Sequence, residues 1–184
     1  MAHRIHVVGA AGSGKTYLAA AIAAALTADH LELDRVAIRR SADGRQVAPL
    51  PWPERRAAAA EIAERPRWVT EGIYLGWTEP LFAAADLIVW LDIPWWQATW
   101  RITGRHLRKS LRGENEWKGI RLLLRFLWST RRYYLGLGGD PNREHDDGAT
   151  DRRMTAAALA PHAAKVMRIR RGRDIASSID WRAA

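Results

Sequence analysis

Short apolar runs recur along the chain, each bounded by charged or turn-forming residues. Residues 4–8, 31–33, 67–70, 86–91 and 165–170 carry them, and their length and content read as five strands. Asp86-Leu87-Ile88-Val89-Trp90-Leu91 is almost unbroken, as in a strand covered on both faces. The segments between carry helical signals. Thr16 to Ala28 is rich in Ala, the strongest helix former. Glu54 to Glu64 is polar and Ala-rich and stops at Arg65-Pro66. Glu79 to Ala84 follows Thr78 as an N-cap with Pro80 in its first turn, and Asp92, as a cap, opens a longer helix with Pro94. Trp117 to Tyr134 reads as an amphipathic helix with Ile120, Leu123, Leu124, Leu127 and Trp128 on one face and Arg121, Arg125 and Arg132 elsewhere. Gly136-Leu137-Gly138-Gly139 stops it and offers a hinge. Arg152 to Ala164 and Asp174 to Ile179 are the last two helices. Arg35 to Pro53, with Ser41-Ala42-Asp43-Gly44 and three prolines, and Asp140 to Asp151, polar and turn-rich, are expected to be irregular. Strands alternating with helices predict an α/β protein whose parallel sheet is covered on both sides, and 184 residues make one domain, 1–184.

A glycine-rich stretch joins the first strand to the first helix. Gly9-Ala10-Ala11-Gly12-Ser13-Gly14-Lys15-Thr16 satisfies G-x-x-x-x-G-K-[ST], the Walker A phosphate-binding loop, in the strand–loop–helix setting that the motif needs. Gly9, Gly12 and Gly14 let the backbone curl with its N–H groups inward, a nest for phosphate oxygens at a helix N-terminus. Lys15 then reaches the β- and γ-phosphates, the Thr16 hydroxyl ligates Mg²⁺, and Tyr17 completes the nucleotide-binding set. Two acids stand at the carboxyl ends of other strands, the edge where open parallel sheets bind ligands. Asp34 is either the acid that orients or deprotonates an acceptor hydroxyl or a cap of the next helix. Glu71, beside Gly72, is placed to hold a water of the Mg²⁺ shell. Arg39, Arg40 and Trp52, with Tyr74, are the acceptor-site candidates: Arg for anionic groups, Trp for a ring or an apolar face. Nothing in their spacing identifies the acceptor.

Composition changes this picture in three ways. Cys is absent, which excludes a disulfide framework, a thiolate metal site and a cysteine nucleophile, and matches a reducing cytoplasm. No apolar run reaches the length of a membrane span. The net charge of +9 is concentrated: residues 101–132 hold ten Lys or Arg against Glu114 and Glu116, a local charge of +8. Such a block serves nucleotide phosphates, nucleic acid or a membrane surface, although an Arg- and Ala-rich composition alone also raises the Arg count. Within it Arg101, Arg105, Arg108 and Arg112 recur at spacings of four, three and four, on one helical face.

Asp92-x-Pro94 followed by Arg101-Ile102-Thr103-Gly104-Arg105 resembles the adenylate kinase family, in which the fourth strand ends in D-x-P and R-I-x-G-R opens the lid. His30-Leu31-Glu32-Leu33-Asp34, Trp68-Val69-Thr70-Glu71-Gly72-Ile73-Tyr74 and Val166-Met167-Arg168-Ile169-Arg170 resemble a branch of it, the topology-modulation-like P-loop kinases. The resemblance implies a three-layer P-loop NTPase fold with strand order 2-3-1-4-5 and a helical Arg-rich lid, inserted at approximately residues 106–150. It implies ATP with Mg²⁺, adenine stacked on Arg101 and lying against the turn at Arg171 and Gly172, and phosphates contacted by Arg105. Arg152 and Arg153 are further candidates for phosphate, or face solvent. The family's D-G-F-P-R after the third strand is replaced by Glu71-Gly72-Ile73-Tyr74-Leu75, so the arginine that clamps AMP is missing, as is the T-G-D element.

An ATP-dependent phosphotransferase acting on a small acceptor is the leading expectation, with Lys15, Asp34, Glu71 and Arg105 as its catalytic residues. A nucleoside monophosphate kinase is the alternative within that class. A nucleotide-binding ATPase module whose basic lid binds nucleic acid or a protein partner is the alternative outside it, less favoured because no nucleic-acid motif is present. For residues 117–134 three readings stand: a mobile cationic cover over the triphosphate, a helix packed on the core, or a Trp- and Arg-rich helix touching a membrane. The oligomeric state is open.

Overall fold

Eleven of the strand and helix segments expected from the pattern have counterparts in the computed structural model, which describes residues 2–40, 46–113, 119–139 and 150–171, without the side chains of Arg40, Gln46 and Val47. The main sheet contains β1 (Arg4–Gly9), β2 (Asp29–Glu32), β5 (Trp68–Gly72), β6 (Leu87–Leu91) and β7 (Val166–Ile169). All neighbours in it are parallel, in the order β2-β5-β1-β6-β7. Counting only these five strands, that is 2-3-1-4-5.

Strand periodicity decides which helices each face receives. Ile5, Val7, Val69, Val89 and Leu91 turn to α1 (Lys15–Leu26) and bury against its Leu18, Ala19 and Ile22. Val8, Trp68, Ile88 and Trp90 turn the other way, onto Ala59 and Ile62 of α3 (Trp52–Glu64) and Leu81 and Phe82 of α4 (Glu79–Ala84). The result is a three-layer α/β fold of the P-loop type.

Several local expectations are corrected. The second strand ends at Glu32, and Leu33–Val36 turns into a short helix, α2, because Leu33 is drawn into the core. The stretch expected to be irregular holds an antiparallel hairpin, β3 (Ile38–Arg40) and β4 (Gln46–Pro49). Pro49 stands at the end of β4 on an edge, where its missing N–H breaks no ladder. Thr78 precedes α4 without a side-chain cap bond; its hydroxyl donates back to the Tyr74 carbonyl at 2.7 Å. The residue preceding α5 (Trp95–Leu111) is Pro94, and Asp92 does not cap it. The segment after Asp151 is α-helical only over α7 (Arg152–Leu159) and continues as a 3₁₀ turn, Ala160–Lys165. Pro161 in that turn lacks the N–H that an α-helix would need.

The basic segment forms two packed helices, α5 and α6 (Ile120–Leu135). Gly136, at φ 67°, ends α6 in the left-handed conformation, and the Leu137 N–H bonds back to the Arg132 carbonyl, so the expected glycine stop is present. The expected apolar face of α6 is buried only in part. Leu123, Thr130 and Tyr133 are buried, whereas Ile120, Leu124 and Trp128 are exposed, because α6 packs sideways on α5 and α7. Trp117, Glu114, Glu116, residues 41–45, the loop at 140–149, Gly172 and the helix expected at 174–179 lie outside the described residues.

Candidate active site

The carboxyl ends of β1 and β5, the first turns of α1 and α2, the later turns of α5 and Phe126 of α6 enclose one cleft of about 460 Å³. Its floor is the loop from Gly9 to Lys15. At Gly12 the backbone φ is +76°, and a Cβ there would lie 2.8 Å from the Ala98 carbonyl oxygen and from Ile102 Cγ1. Gly14, at φ 97°, is the residue before α1, and no side chain caps that helix. The first N–H groups of α1 therefore remain available to an anion, with the helix dipole behind them.

Lys15 curls back over the loop. Its Nζ donates to the Ala10 carbonyl at 3.4 Å and lies 3.9 Å from Glu71 Oε2. Burial lowers its pKa from the usual lysine value; Glu71 and Asp34 oppose that fall and Arg105 adds to it. A phosphate at this position would restore the favourable balance for the ammonium. The Thr16 hydroxyl donates to Glu71 Oε1 at 2.8 Å, and Glu71 is buried in β5, in register with Val7 of β1 and Glu32 of β2. Thr16 and Glu71 are hard oxygen donors held side by side, the kind Mg²⁺ takes when phosphates and water complete its shell. Among the described residues no group of three or more His, Cys, Asp or Glu is assembled to hold a metal ion unaided.

Asp34 borders the same cleft from the first turn of α2, and accepts a hydrogen bond from the Tyr74 hydroxyl at 2.7 Å. It is not the N-cap of that helix; Glu32 occupies that position. Tyr17 lies at the cleft's rim, largely exposed.

On the other side, Arg101, Arg105 and Arg108 come from successive turns of α5 onto the cleft. Arg112 falls at the end of the helix and does not line it, so the stripe of four is a stripe of three. Arg101 Nη1 donates to the Ser13 carbonyl at 2.6 Å, tying α5 to the loop. Arg101 also borders a second cleft of about 590 Å³, lined with Trp96, Trp100, Arg170 and Arg171. Phe126 of α6 reaches the first cleft, a residue that sequence reasoning passed over as one apolar position among many.

Two acceptor-site candidates lie elsewhere. Arg39 is held by Glu54, at 3.0 and 2.9 Å, and Trp52 packs against the core beside α3; neither lines the cleft, and the Arg40 side chain is outside the described residues. Arg152 is committed to Asp92, donating at 2.7 and 2.8 Å, and Arg168 donates to the same carboxylate at 2.9 and 2.6 Å. Asp92, read from the sequence as a helix cap, is instead a buried anchor for two arginines, and Arg168 lies 4.2 Å over the Trp90 ring. The N-cap of α7 is Asp151, whose carboxylate accepts from the N–H groups of Arg153 and Met154.

Fold and loop together define a P-loop α/β protein. No protein-family model matches the chain. It is similar to the uncharacterized protein YqaC of Bacillus subtilis (strain 168), 31% identical over 96 residues, which is 51% of this chain and 51% of that protein. The match thus spans about half the length of the curated relative. Among solved structures, a shikimate kinase from Bacteroides thetaiotaomicron superposes with a TM-score of 0.45 at 16% identity, over 97% of this chain and 94% of that one. A gluconokinase from Sinorhizobium meliloti 1021 gives 0.43 at 21% identity, over 88% and 94%. A shikimate kinase from Acinetobacter baumannii in complex with shikimate gives 0.39 at 21%, over 70% and 75%.

Proposed function

We propose that the protein is an ATP-dependent phosphotransferase that phosphorylates a hydroxyl group of a small acceptor. One observation carries the reading: the phosphate-binding loop, the Thr16–Glu71 pair and Asp34, whose carboxylate accepts from the Tyr74 hydroxyl behind it, border a single cleft that three arginines of α5 close from the other side. A phosphate nest alone would serve any nucleotide-binding protein. An acid across the cleft from it gives the γ-phosphoryl group a destination.

The chemistry is positioning and charge neutralisation. The loop N–H groups and Lys15 hold the β- and γ-phosphates. Thr16, and Glu71 through a water, would hold Mg²⁺, which would draw charge from the phosphate oxygens. Asp34, oriented by Tyr74, accepts the proton of the acceptor hydroxyl; the acceptor oxygen forms a bond to Pγ, the bond from Pγ to the β-bridging oxygen breaks, and ADP leaves. Arg105 and Arg108 cover the transferring group, and Arg101 holds the loop and adjoins the base. A hydroxyl acceptor is favoured over a nucleoside monophosphate because the cleft offers Asp34 as a base, and the residues after β5, Ile73-Tyr74-Leu75, supply no arginine for an acceptor phosphate.

ADP release with a panel of polyols, hydroxy acids and nucleoside monophosphates tests this. Lys15→Ala is expected to abolish turnover. Asp34→Asn is expected to lower kcat by about 10²–10⁴ with ATP binding retained. Undiminished turnover in either variant, or a preference for nucleoside monophosphates, sinks the reading.

A further inference from the structure

Outside the cleft, the surface has one feature that neither fold nor site accounts for. Except for Tyr17, every large exposed apolar residue among the described ones belongs to α5, α6 or the turn after α6. Leu107 and Leu111 of α5, and Ile120, Leu124, Trp128 and Leu135 of α6, are 48–79% exposed. Leu107 and Leu111 are four residues apart, and the α6 set recurs at four, four and seven, so on each helix these residues form a stripe; Leu122 of α6, also exposed, lies off it. At roughly 100° per residue the α6 stripe covers an arc of about 80°. The opposite side of α6, with Leu123, Thr130 and Tyr133, is what packs on the protein, so the stripe contributes nothing to the fold.

Charge lies along one flank of the α6 stripe and, at Arg131, within it. Arg121, Arg125 and Arg132 are exposed on its flank, and the Arg131 guanidinium lies 5.6 Å over the Trp128 ring. Of the cations in residues 101–132, Arg101, Arg105 and Arg108 belong to the cleft, and Lys109, Arg112, Arg121, Arg125, Arg131 and Arg132 are exposed on the two helices. An apolar strip of Leu, Ile and Trp edged by arginines is the arrangement by which a helix lies in the headgroup region of a bilayer, with apolar side chains inserted and cations on anionic lipids. No helix among the described residues is long and apolar enough to cross a membrane.

We propose that the outer face of the α5–α6 pair is a docking surface for an anionic phospholipid bilayer, on which the protein rests without crossing it. Charge complementarity selects this occupant. A second copy would bring two cationic faces together. Nucleic acid would satisfy the arginines but leave Leu107, Leu111, Ile120 and Leu124, which cannot stack on bases, at the centre of the contact. The stripe is separate from the Arg101, Arg105 and Arg108 face of α5, so docking does not require the cleft and stands or falls independently of the phosphotransferase reading.

Flotation of the full chain with vesicles tests the proposal. Binding to phosphatidylcholine–phosphatidylglycerol vesicles is expected, with at least tenfold weaker partition onto phosphatidylcholine alone. Leu124→Ser/Trp128→Ser, and separately Leu107→Ser/Leu111→Ser, are each expected to lose at least tenfold in partition while keeping the wild-type thermal melt, since these side chains are solvent-exposed. Equal partition onto both vesicle types, or equal partition of wild type and both variants, overturns it. So does an absence of vesicle binding together with single-stranded DNA binding that both variants retain, or with a dimer that both variants dissolve.

Discussion

Gly12 shows how one position serves fold and site together. Its φ of +76° is a left-handed conformation, and the space a Cβ would need is taken by the Ala98 carbonyl and the Ile102 side chain of α5. The loop can approach α5 this closely only with glycine, and that approach lets Arg101 reach the Ser13 carbonyl. Gly12→Ala is expected to destabilise the protein by about 1–3 kcal/mol, read as a lower urea midpoint. It is also expected to weaken ATP-analogue binding in calorimetry more than that loss of stability explains, because the loop N–H groups are displaced. Neighbouring Ala11, half-buried and already carrying a Cβ, is expected to tolerate Ser with nucleotide affinity unchanged.

At the scale of elements, α5 is the busiest helix. Ala98 and Ile102 bury, Arg101, Arg105 and Arg108 turn to the cleft, and Leu107 and Leu111 face solvent. What holds its N-terminal side in place is Asp92, just past β6. Its backbone N–H bonds to the Ile169 carbonyl of β7, and its side chain accepts from Arg152 of α7 and Arg168 of β7. Three elements are thus tied to one carboxylate that is almost completely buried, while the two guanidinium groups remain partly in water. Asp92→Asn keeps the shape and removes the charge. Buried ion pairs cost roughly 3–5 kcal/mol when one partner is removed; with half-exposed arginines about 1–3 kcal/mol is expected here. The thermal midpoint should fall accordingly, and amide exchange should rise in β7 and α7 before β1. Uniform exchange across the sheet would refute this anchoring role.

At the scale of the whole molecule, acid should weaken the fold through His6. It lies in β1 with its Nδ1 2.8 Å from Thr70 Oγ1 and its ring edge-on to Phe82, fully buried. Burial lowers its pKa from 6.5 to about 3. The unfolded chain takes up a proton below 6.5 that the folded one refuses, so the contribution of His6 to stability is complete above 6.5 and is lost as pH falls toward 3. The slope approaches about 1.4 kcal/mol per pH unit for one such group. Urea midpoints measured between about pH 7 and pH 4.5 should decline, and His6→Asn should flatten the decline; an unchanged slope in that variant would refute the assignment.

The sheet was legible from the chain because its signals are local. A strand buried on both faces needs an unbroken apolar run wherever it sits, and a phosphate nest needs its glycines in fixed order, so β1, β5, β6 and the loop at Gly9–Thr16 are written within a few residues each. Strand order followed only from resemblance to a known family. Asp92 was misread because its partners, Arg152 and Arg168, are 60 and 76 residues away, and a carboxylate before a helix has the same local look whether it caps or pairs. The α6 face was read only in part because a helix with apolar residues on more than one side does not itself say which side has a neighbour. The β3–β4 hairpin stayed hidden because its prolines mark breaks as often as edges. By itself, then, the sequence determined the elements and the phosphate-binding loop, which depend on backbone sterics and burial over short spans. Only the tertiary structure decided which acid meets which cation, that Asp34 is joined to Tyr74 at the cleft, and that the Leu and Trp stripe of α6 is left to solvent, because those depend on what long-range packing places beside each side chain.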